Sequence, residues 1–175
     1  VPPALAALRA DPEVRVDAFL CPAHVSAIIG ADAYRPFAGP GGVPCVIAGF
    51  EALDILLGLE GILRQLADGR ADVDNQYRRV VTAQGNRRAQ ELIARLLEPV
   101  DAPWRGLGLI PQSGMALRQR YAAYDAARRH GIVVTEGRSH RECRCGDVIK
   151  GKQFPADCPL FGKACTPESA IGPCM

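Results

Sequence analysis

Residues 44–67 read PCVIAGFEALDILLGLEGILRQLA. The apolar run at 44–50 has the length of a buried strand and follows the turn Gly39-Pro40-Gly41-Gly42. It leads directly into 51–67, where leucines recur at helical spacing, at positions 53, 56, 57, 63 and 66. The stretch therefore predicts a strand, a tight turn and a helix with one mainly apolar face, the face that a surface helix normally turns toward the core.

The same succession occurs elsewhere along the chain. Residues 14–20 predict a short strand that ends at Cys21-Pro22, and 24–29 predict the start of a helix. The pattern then predicts a helix, a strand, a helix capped by Gly131 and a brief strand, at 84–97, 104–110, 118–130 and 132–134. This alternation implies the α/β class, with a mainly parallel sheet flanked by helices. Ligands of such sheets usually meet the loops after the strands, which here are 21–26, 49–51 and 111–114.

The composition argues against several classes of protein. The 175 residues carry 21 Lys plus Arg against 19 Asp plus Glu, and this scattered net charge of +2 does not favour nucleic acid as a partner. No uncharged apolar run approaches the ~18 residues of a membrane span, which predicts a soluble protein without a membrane partner. A nucleotide site is not expected, because Gly106-Leu107-Gly108 opens no helix and a Walker lysine is missing. The start at Val1 has no signal-peptide features and is interpreted as a piece or a processed start of a longer chain.

The cysteines divide the chain into two parts. Residues 1–137 hold two cysteines, whereas 138–175 hold five: Cys143, Cys145, Cys158, Cys165 and Cys174. We therefore predict an α/β body at 1–137 and a small, loop-rich, cysteine-rich region at 138–175, named the tail below. Because the tail has few large apolar residues, it cannot exclude enough water to order itself and needs disulfides or a metal centre.

The spacing of the tail cysteines favours an iron–sulfur cluster. Structural zinc usually takes its thiolates from paired Cys-x2-Cys knuckles, and the tail has neither these nor the short ferredoxin run. A [4Fe-4S] cubane presents four iron corners in different directions, so distant segments can bind it. Two alternatives stay open. One is a zinc-stabilised binding module, and the other is a thiol-based oxidoreductase in which Cys143 and Cys145 cycle.

Two pairs of residues in the body are further candidates. His24 and Ser26 follow the first predicted strand, where a binding loop is expected, although a structural histidine and a helix-capping serine explain them equally well. Cys21 and Cys45 adjoin apolar strands, which favours buried, inert thiols over metal ligands.

The chain resembles the HypD family of hydrogenase maturation proteins. In the tail the resemblance is carried by CGDVIKGK at 145–152 and DCPLFGKACTP at 157–167. In the body it is carried by four segments that lie in order: DAFLCPAHVS at 17–26, VIAGFE at 46–51, NQYRRVV at 75–81 and WRGLG at 104–108. Because these segments extend over essentially the whole chain, the resemblance is more specific than a cysteine pattern.

The resemblance implies a function in building the Fe(CN)2(CO) part of the [NiFe] hydrogenase active site. It implies a cytoplasmic assembly scaffold with a redox role rather than a conventional enzyme. The implied cofactor is a [4Fe-4S] cluster, the cargo of the full-length protein is the Fe(CN)2CO unit, and the implied partners are a HypC-like chaperone and a HypE-like cyanide donor. Carried onto this chain, Cys158 and Cys165 are the firmest cluster ligands. Cys145 or Cys143 supplies a third, with Cys145 preferred, and Cys174 is the candidate for the fourth.

The resemblance also bears on the charged residues of the body. An arginine of the segment at 75–81 could hold an anionic group or the partner chaperone, but we favour a fixed salt bridge that joins the domains. Glu51 and Asp54 could form a paired-carboxylate site, although the preference of helix N-termini for acidic residues explains both.

Two departures from the family limit what is carried over. The family's N-terminal motifs Cys-Gly-Gly-His and Gly-Pro-Gly-Cys-Pro-x-Cys do not occur here. The family also continues past the equivalent of Met175 with Ser-Ser-Glu-Gly-x-Cys, which holds another possible ligand. We therefore expect a chain truncated at both ends that does not assemble the cyanide-bearing iron alone.

Overall fold

The computed structural model describes residues 1–133 and 140–175. Its contacts divide the chain into two compact units. Unit 1 comprises 1–9 and 16–95, and unit 2 comprises 10–15 and 96–175. The domain boundary predicted near Arg138 lies among 134–139, outside the described residues, and stays a prediction.

Unit 1 is built on a three-stranded parallel sheet. Its elements in chain order are α1 (Pro2–Ala10), β1 (Phe19–Pro22), α2 (Ala23–Ile29), a 3-10 helix (Ala31–Phe37), β2 (Cys45–Ala48), α3 (Ala52–Ala67), β3 (Val73–Asn75) and α4 (Arg87–Leu96). The strand order is β1-β2-β3, with Phe19 beside Cys45 and Cys45 beside Val73. The α/β class is confirmed. The first predicted strand is shorter than expected, since 14–18 lie outside β1. No sequence pattern predicted β3, because it has only three residues and two of them are polar.

The core of unit 1 lies on one face of this sheet. Side chains of β1 and β2 pack there against Tyr34, Phe37 and Val81, and Tyr34 is fully buried. Ser26 is also fully buried, and its hydroxyl donates to the Pro22 carbonyl at 2.8 Å and lies 2.9 Å from the Tyr34 hydroxyl. The prediction of Ser26 as a helix cap is therefore wrong. Its hydroxyl bonds back to the carbonyl four residues earlier, inside α2.

Helix α3 covers the other face of the sheet through its smallest residues. Its buried positions are Asp54, Gly58, Gly61 and Gln65, whereas the leucines of the predicted apolar face are exposed. The helix comes so close that a methyl group at position 58 would lie 2.7 Å from Leu20 Cδ1 and 2.8 Å from Ala48 Cβ. The sequence predicted the bounds of this helix well. The expectation that its leucine face turns to the core is wrong, because glycines make the closer contact with the sheet.

This contact predicts opposite effects for two identical substitutions in α3. Gly58→Ala should lower the free energy of unfolding by about 1–2 kcal/mol, because overpacking outweighs the gain in helix propensity. Gly61→Ala should leave it unchanged or raise it by up to about 1 kcal/mol, since its new methyl would meet Asp74 Oδ2 at 3.3 Å and Val46 Cγ1 at 3.4 Å. Urea unfolding of both variants measures the difference. Equal effects at the two positions would contradict the glycine contact.

Unit 2 begins with an antiparallel hairpin. Its elements are β4 (Leu97–Trp104), β5 (Gly108–Leu117), a 3-10 helix (Gln119–Tyr124), α5 (Ala126–Arg129), α6 (Cys145–Ile149) and a 3-10 turn (Pro155–Asp157). The predicted strand at 104–110 is wrong, because Trp104 pairs with Gly108 across the hairpin turn. Pro111 does not end a strand either. It lies inside β5, where the register shifts, and such an irregularity tolerates a proline.

The helix predicted at 118–130 is divided into two short pieces. The Asp125 side chain accepts hydrogen bonds from the backbone N–H groups of Ala127 and Arg128, so it caps α5 and separates α5 from the preceding 3-10 helix. Gly131 follows with a positive φ of 59°, as expected for a residue after a helix. Of the strand predicted at 132–134, Ile132 and Val133 are not in a strand, and Val134 lies outside the described residues. None of the helices in the described ranges is both long and apolar enough to span a membrane.

Candidate metal centre

Four of the five tail cysteines line one small cleft in unit 2. Cys158 follows the 3-10 turn Pro155–Asp157, and Cys165 lies seven residues further along, in an irregular loop. The lining consists of four thiol-bearing residues and five others: Cys143, Cys158, Cys165 and Cys174, with Pro155, Leu160, Phe161, Gly172 and Met175. The fold thus brings sulfur atoms from separate segments to one apolar place.

The fifth tail cysteine, Cys145, lies directly beside this group. It is the first residue of α6, it is buried, and its thiol lies near that of Cys174. A methyl group at position 172 would lie 2.8 Å from Cys145 Cβ and 3.0 Å from Cys143 Sγ. Gly172 therefore permits the last residues of the chain to approach the first two tail cysteines.

Backbone N–H groups point at two of the cleft sulfurs. The N–H groups of Arg144, Leu160 and Phe161 lie near the Cys158 sulfur, and they hold the pKa of Cys158 below that of a free thiol, with Arg144 the strongest influence. The Cys165 sulfur accepts from the Ile171 N–H at 3.2 Å. Such donors favour the thiolate form that metal ligands need.

Cys145 has the opposite electrostatic surroundings. Burial, followed by the neighbouring Cys174 thiol, raises the pKa of Cys145 to about 11. Without a metal, Cys145 is therefore protonated near neutral pH and is a weaker nucleophile than Cys158.

The hairpin turn between β4 and β5 lies against the tail. Arg105 donates a hydrogen bond to the Ile171 carbonyl, and a methyl group on Gly106 would lie 3.2 Å from the Gly146 Cα. Gly106 has a positive φ of 84°, which the turn requires. The sequence predicted a strand at 104–110, which includes this WRGLG segment, and no pattern predicted its contact with the tail. Its likeness to the family was the only sign in the sequence.

A short segment from the beginning of the chain also holds the tail. Lys150 pairs with Asp11 at 2.9 Å, and Lys152 forms an ion pair with Glu13. The Arg15 N–H donates to the Lys150 carbonyl at 3.0 Å. The tail is thus ordered partly by residues more than one hundred positions away in sequence.

The thiols converge, but not in the arrangement of a single-ion site. Within 1–133 and 140–175, no group of three or more His, Cys, Asp or Glu side chains is close enough to hold one metal ion. A cubane makes a different demand, because each thiolate binds its own iron corner. Thiols from separate segments around an apolar cleft, with N–H donors aimed at two sulfurs, fit such a ligand set.

The carboxyl ends of β1 and β2 form a second polar region, in unit 1. The His24 ring lies 5.2 Å from the Phe50 ring, centroid to centroid. Of the predicted ligand loops, 49–51 follows its strand as expected. The other two predictions are wrong, because 21–26 comprises the end of β1 and the start of α2, and 111–114 lies inside β5.

Arg79 is the centre of the charged contacts at this edge. Its guanidinium binds both carboxylate oxygens of Asp54, at 3.0 and 2.7 Å, and reaches Glu51 at 2.6 Å. It also lies 3.8 Å above the Tyr77 ring, and its hydrogen bonds hold the pKa of the buried Asp54 carboxyl below its usual value. The predicted salt bridge forms, but all of its members belong to unit 1. The expectation that it joins two domains is therefore wrong.

The two body cysteines lie in the core of unit 1. Cys21 is 2% exposed and Cys45 fully buried, and their side chains contact each other. The contact with Cys45, followed by burial, raises the pKa of Cys21. The predicted burial of these thiols is confirmed.

Comparison with known proteins identifies relatives over the whole chain. The family model named HypD and described as "Hydrogenase formation hypA family" matches residues 1–175. "Hydrogenase maturation factor HypD" of Azotobacter vinelandii is 44% identical over 99% of this chain and 48% of its own length. Proteins with the same name from Rhizobium leguminosarum bv. viciae and Cupriavidus necator are 44% and 39% identical, over 93% and 99% of this chain and 42% and 48% of their own lengths. The chain thus spans about half the length of these relatives, and it belongs to the HypD family.

Proposed function

We propose that this chain serves hydrogenase maturation and that its tail binds a [4Fe-4S] cluster. The observation that carries the proposal is the convergence of Cys143, Cys158, Cys165 and Cys174 on one apolar cleft, with Cys145 adjoining. The names of the relatives, which call them hydrogenase maturation factors, support the biological setting.

The ligands we propose are Cys158, Cys165 and Cys145, and the fourth comes from Cys143 or Cys174. Cys158 is the firmest because three backbone donors favour its thiolate. A bound cluster would supply one-electron transfer. The protein's own part is to fix the sulfurs, to direct N–H groups at them and to keep the cleft apolar, and each of these conditions influences the potential of a cluster.

The wider role we propose is that of an assembly scaffold in the cytoplasm. Its cargo is the Fe(CN)2CO unit of [NiFe] hydrogenase, handled by the full-length protein with a HypC-like chaperone and a HypE-like cyanide donor. The chain spans only about half the length of its relatives. In this proposal the half that carries the tail supplies electrons, and the other half of the full-length protein is needed to handle the cargo.

Anaerobic reconstitution with ferrous iron and sulfide tests the cluster. The 175-residue chain should bind about four iron and four sulfide per chain and show broad absorption in the blue part of the visible spectrum. Full occupancy by zinc with no retained iron would contradict the proposal and favour the zinc-stabilised module.

A chimaera tests the role in maturation. This chain should replace the matching half of the Azotobacter vinelandii protein and preserve hydrogenase activity in cells, and the same chimaera with Cys158→Ala should lose it. Full activity of the Cys158→Ala chimaera would contradict a role for the cluster. Loss of activity when Cys143→Ala is introduced into an iron-loaded chimaera would favour the thiol-based alternative.

A further inference from the structure

The turn between β4 and β5 fixes the backbone of Arg105. The Leu107 N–H donates to the Trp104 carbonyl at 3.0 Å and closes the turn, and Gly106 supplies the positive φ at its third position. Beside the turn, the Trp104 indole N–H donates to the Ser113 hydroxyl at 2.7 Å. Because these bonds hold the turn, the Arg105 side chain starts from a defined position.

The Arg105 guanidinium reaches the part of the tail that supplies an N–H group to a cleft sulfur. It donates a hydrogen bond to the Ile171 carbonyl, and the Ile171 N–H donates to Cys165 Sγ at 3.2 Å. The next residue, Gly172, lines the cleft, and a methyl group there would lie 3.0 Å from Cys143 Sγ. The residue that Arg105 holds therefore contacts one cleft sulfur and adjoins another.

The charge of Arg105 is not neutralised by the protein. Its side chain is exposed, and in the part of the chain that the structure describes no carboxylate forms an ion pair with it. Arg79 of unit 1 differs, because Asp54 and Glu51 both pair with it. Arg105 thus brings a positive charge to the tail as well as a hydrogen bond.

We propose that Arg105 is a positioning residue of the candidate metal centre and that it raises the reduction potential of the bound cluster. This inference rests on the function proposed above. Reduction adds negative charge, so an N–H group directed at a ligating sulfur and a nearby positive charge both favour the reduced form. Arg105 provides the charge itself, and it keeps the Ile171 N–H directed at Cys165 Sγ by holding the Ile171 carbonyl.

Spectroelectrochemical titration of the reconstituted chain tests the effect on the potential. Arg105→Met keeps a long side chain but removes its charge and donors. At a fixed potential it should shift the ratio of oxidised to reduced cluster at least about tenfold toward the oxidised form, which corresponds to a potential lower by about 59 mV. Arg105→Lys should lose less than half of this shift, because it keeps a positive charge and a donor.

Arg78→Met is the matched control. Arg78 is also exposed and also donates to a backbone carbonyl, that of Asn75 at 3.0 Å, but it belongs to unit 1. This variant should have the potential of the wild-type chain. An equal fall of the potential in Arg78→Met and Arg105→Met would contradict a specific role of Arg105.

Hydrogen exchange of the metal-free chain tests the positioning without a cluster. The Ile171 amide should exchange at least about fivefold faster in Arg105→Met than in the wild-type chain, because its bond to Cys165 Sγ opens more often. The far-ultraviolet circular dichroism should not change, since Arg105 is exposed.

The outcomes separate this inference from the proposed function. A wild-type chain that retains no iron after reconstitution would overturn both. An iron-loaded wild-type chain whose potential, or whose Ile171 exchange rate, is the same in Arg105→Met would overturn the inference alone. Loss of the circular dichroism signal in Arg105→Met would also overturn it, because the role of Arg105 would then be purely structural.

Discussion

Cys158→Ala should leave the reconstituted chain with little of its iron, while unit 1 should keep its fold. The substitution removes the cleft sulfur toward which three backbone N–H groups point, and those groups then face a methyl group instead of a thiolate. A cubane that loses one of its four protein ligands is exposed to solvent at one iron corner. We expect iron per chain to fall from about four to below about one after desalting, measured together with acid-labile sulfide.

Cys21→Ala is the matched control for this experiment. Cys21 undergoes the same change of side chain, but it lies in the core of unit 1 and its thiol contacts Cys45 rather than the tail cysteines. It should keep its full complement of iron. Equal iron in the two variants would contradict the assignment of Cys158, and collapse of the entire chain in Cys158→Ala, seen by circular dichroism, would favour a purely structural metal.

Tyr34→Ala should cost about 3–5 kcal/mol of the free energy of unfolding of unit 1. Among residues 1–133 and 140–175, Tyr34 is the largest fully buried side chain, and it packs among Cys21, Cys45 and Ile47 on the core face of the sheet. Its removal leaves a cavity and also takes away the hydroxyl that lies 2.9 Å from Ser26 Oγ. Hydrogen exchange of the β2 amides, combined with urea unfolding, measures the loss within unit 1.

Two further tyrosine variants separate packing from hydrogen bonding. Tyr34→Phe should cost only about 0.5–1.5 kcal/mol, because Ser26 still donates to the Pro22 carbonyl. Tyr124→Ala should change stability by less than about 0.5 kcal/mol, since that ring is 79% exposed. A loss in Tyr34→Ala no larger than in Tyr124→Ala would contradict the burial of this ring.

The sequence predicted the elements of unit 1 more successfully than their orientation. The periodicity at 51–67 marked helix α3 almost to its first residue, because leucine spacing reports helical geometry directly. The same periodicity predicted the wrong buried face, because the close approach of the helix backbone to the sheet at Gly58, and not the size of the side chains, decides which face is buried. The pair Gly58 and Gly61, three residues apart in an otherwise leucine-rich helix, was the available signal.

In unit 2 the sequence was less informative about local structure. A proline normally ends a strand, but Pro111 lies where the register of the hairpin shifts, and the strand continues past it. This irregularity depends on the paired strand rather than on the residues next to Pro111. The predicted helix at 118–130 is interrupted for a different reason. The Asp125 side chain accepts hydrogen bonds from backbone N–H groups, so it begins a new helix at this point instead of continuing the preceding one.

For the candidate site, the cysteine spacing identified the candidate ligands but not their surroundings. The donors at Cys158 and Cys165 are backbone groups, which leave no mark in a sequence. Arg105 reaches Ile171 across 66 positions, a separation that no local pattern reveals.

The pairing of Asp11 and Glu13 with Lys150 and Lys152 bears on how the cysteine-rich end could be studied in isolation. A synthetic peptide that starts at 138 would leave behind two carboxylates and the Arg15 amide, which anchor the residues just after Cys145. Minimal mimics of this centre therefore need residues 10–15 supplied as a second strand or joined by a linker.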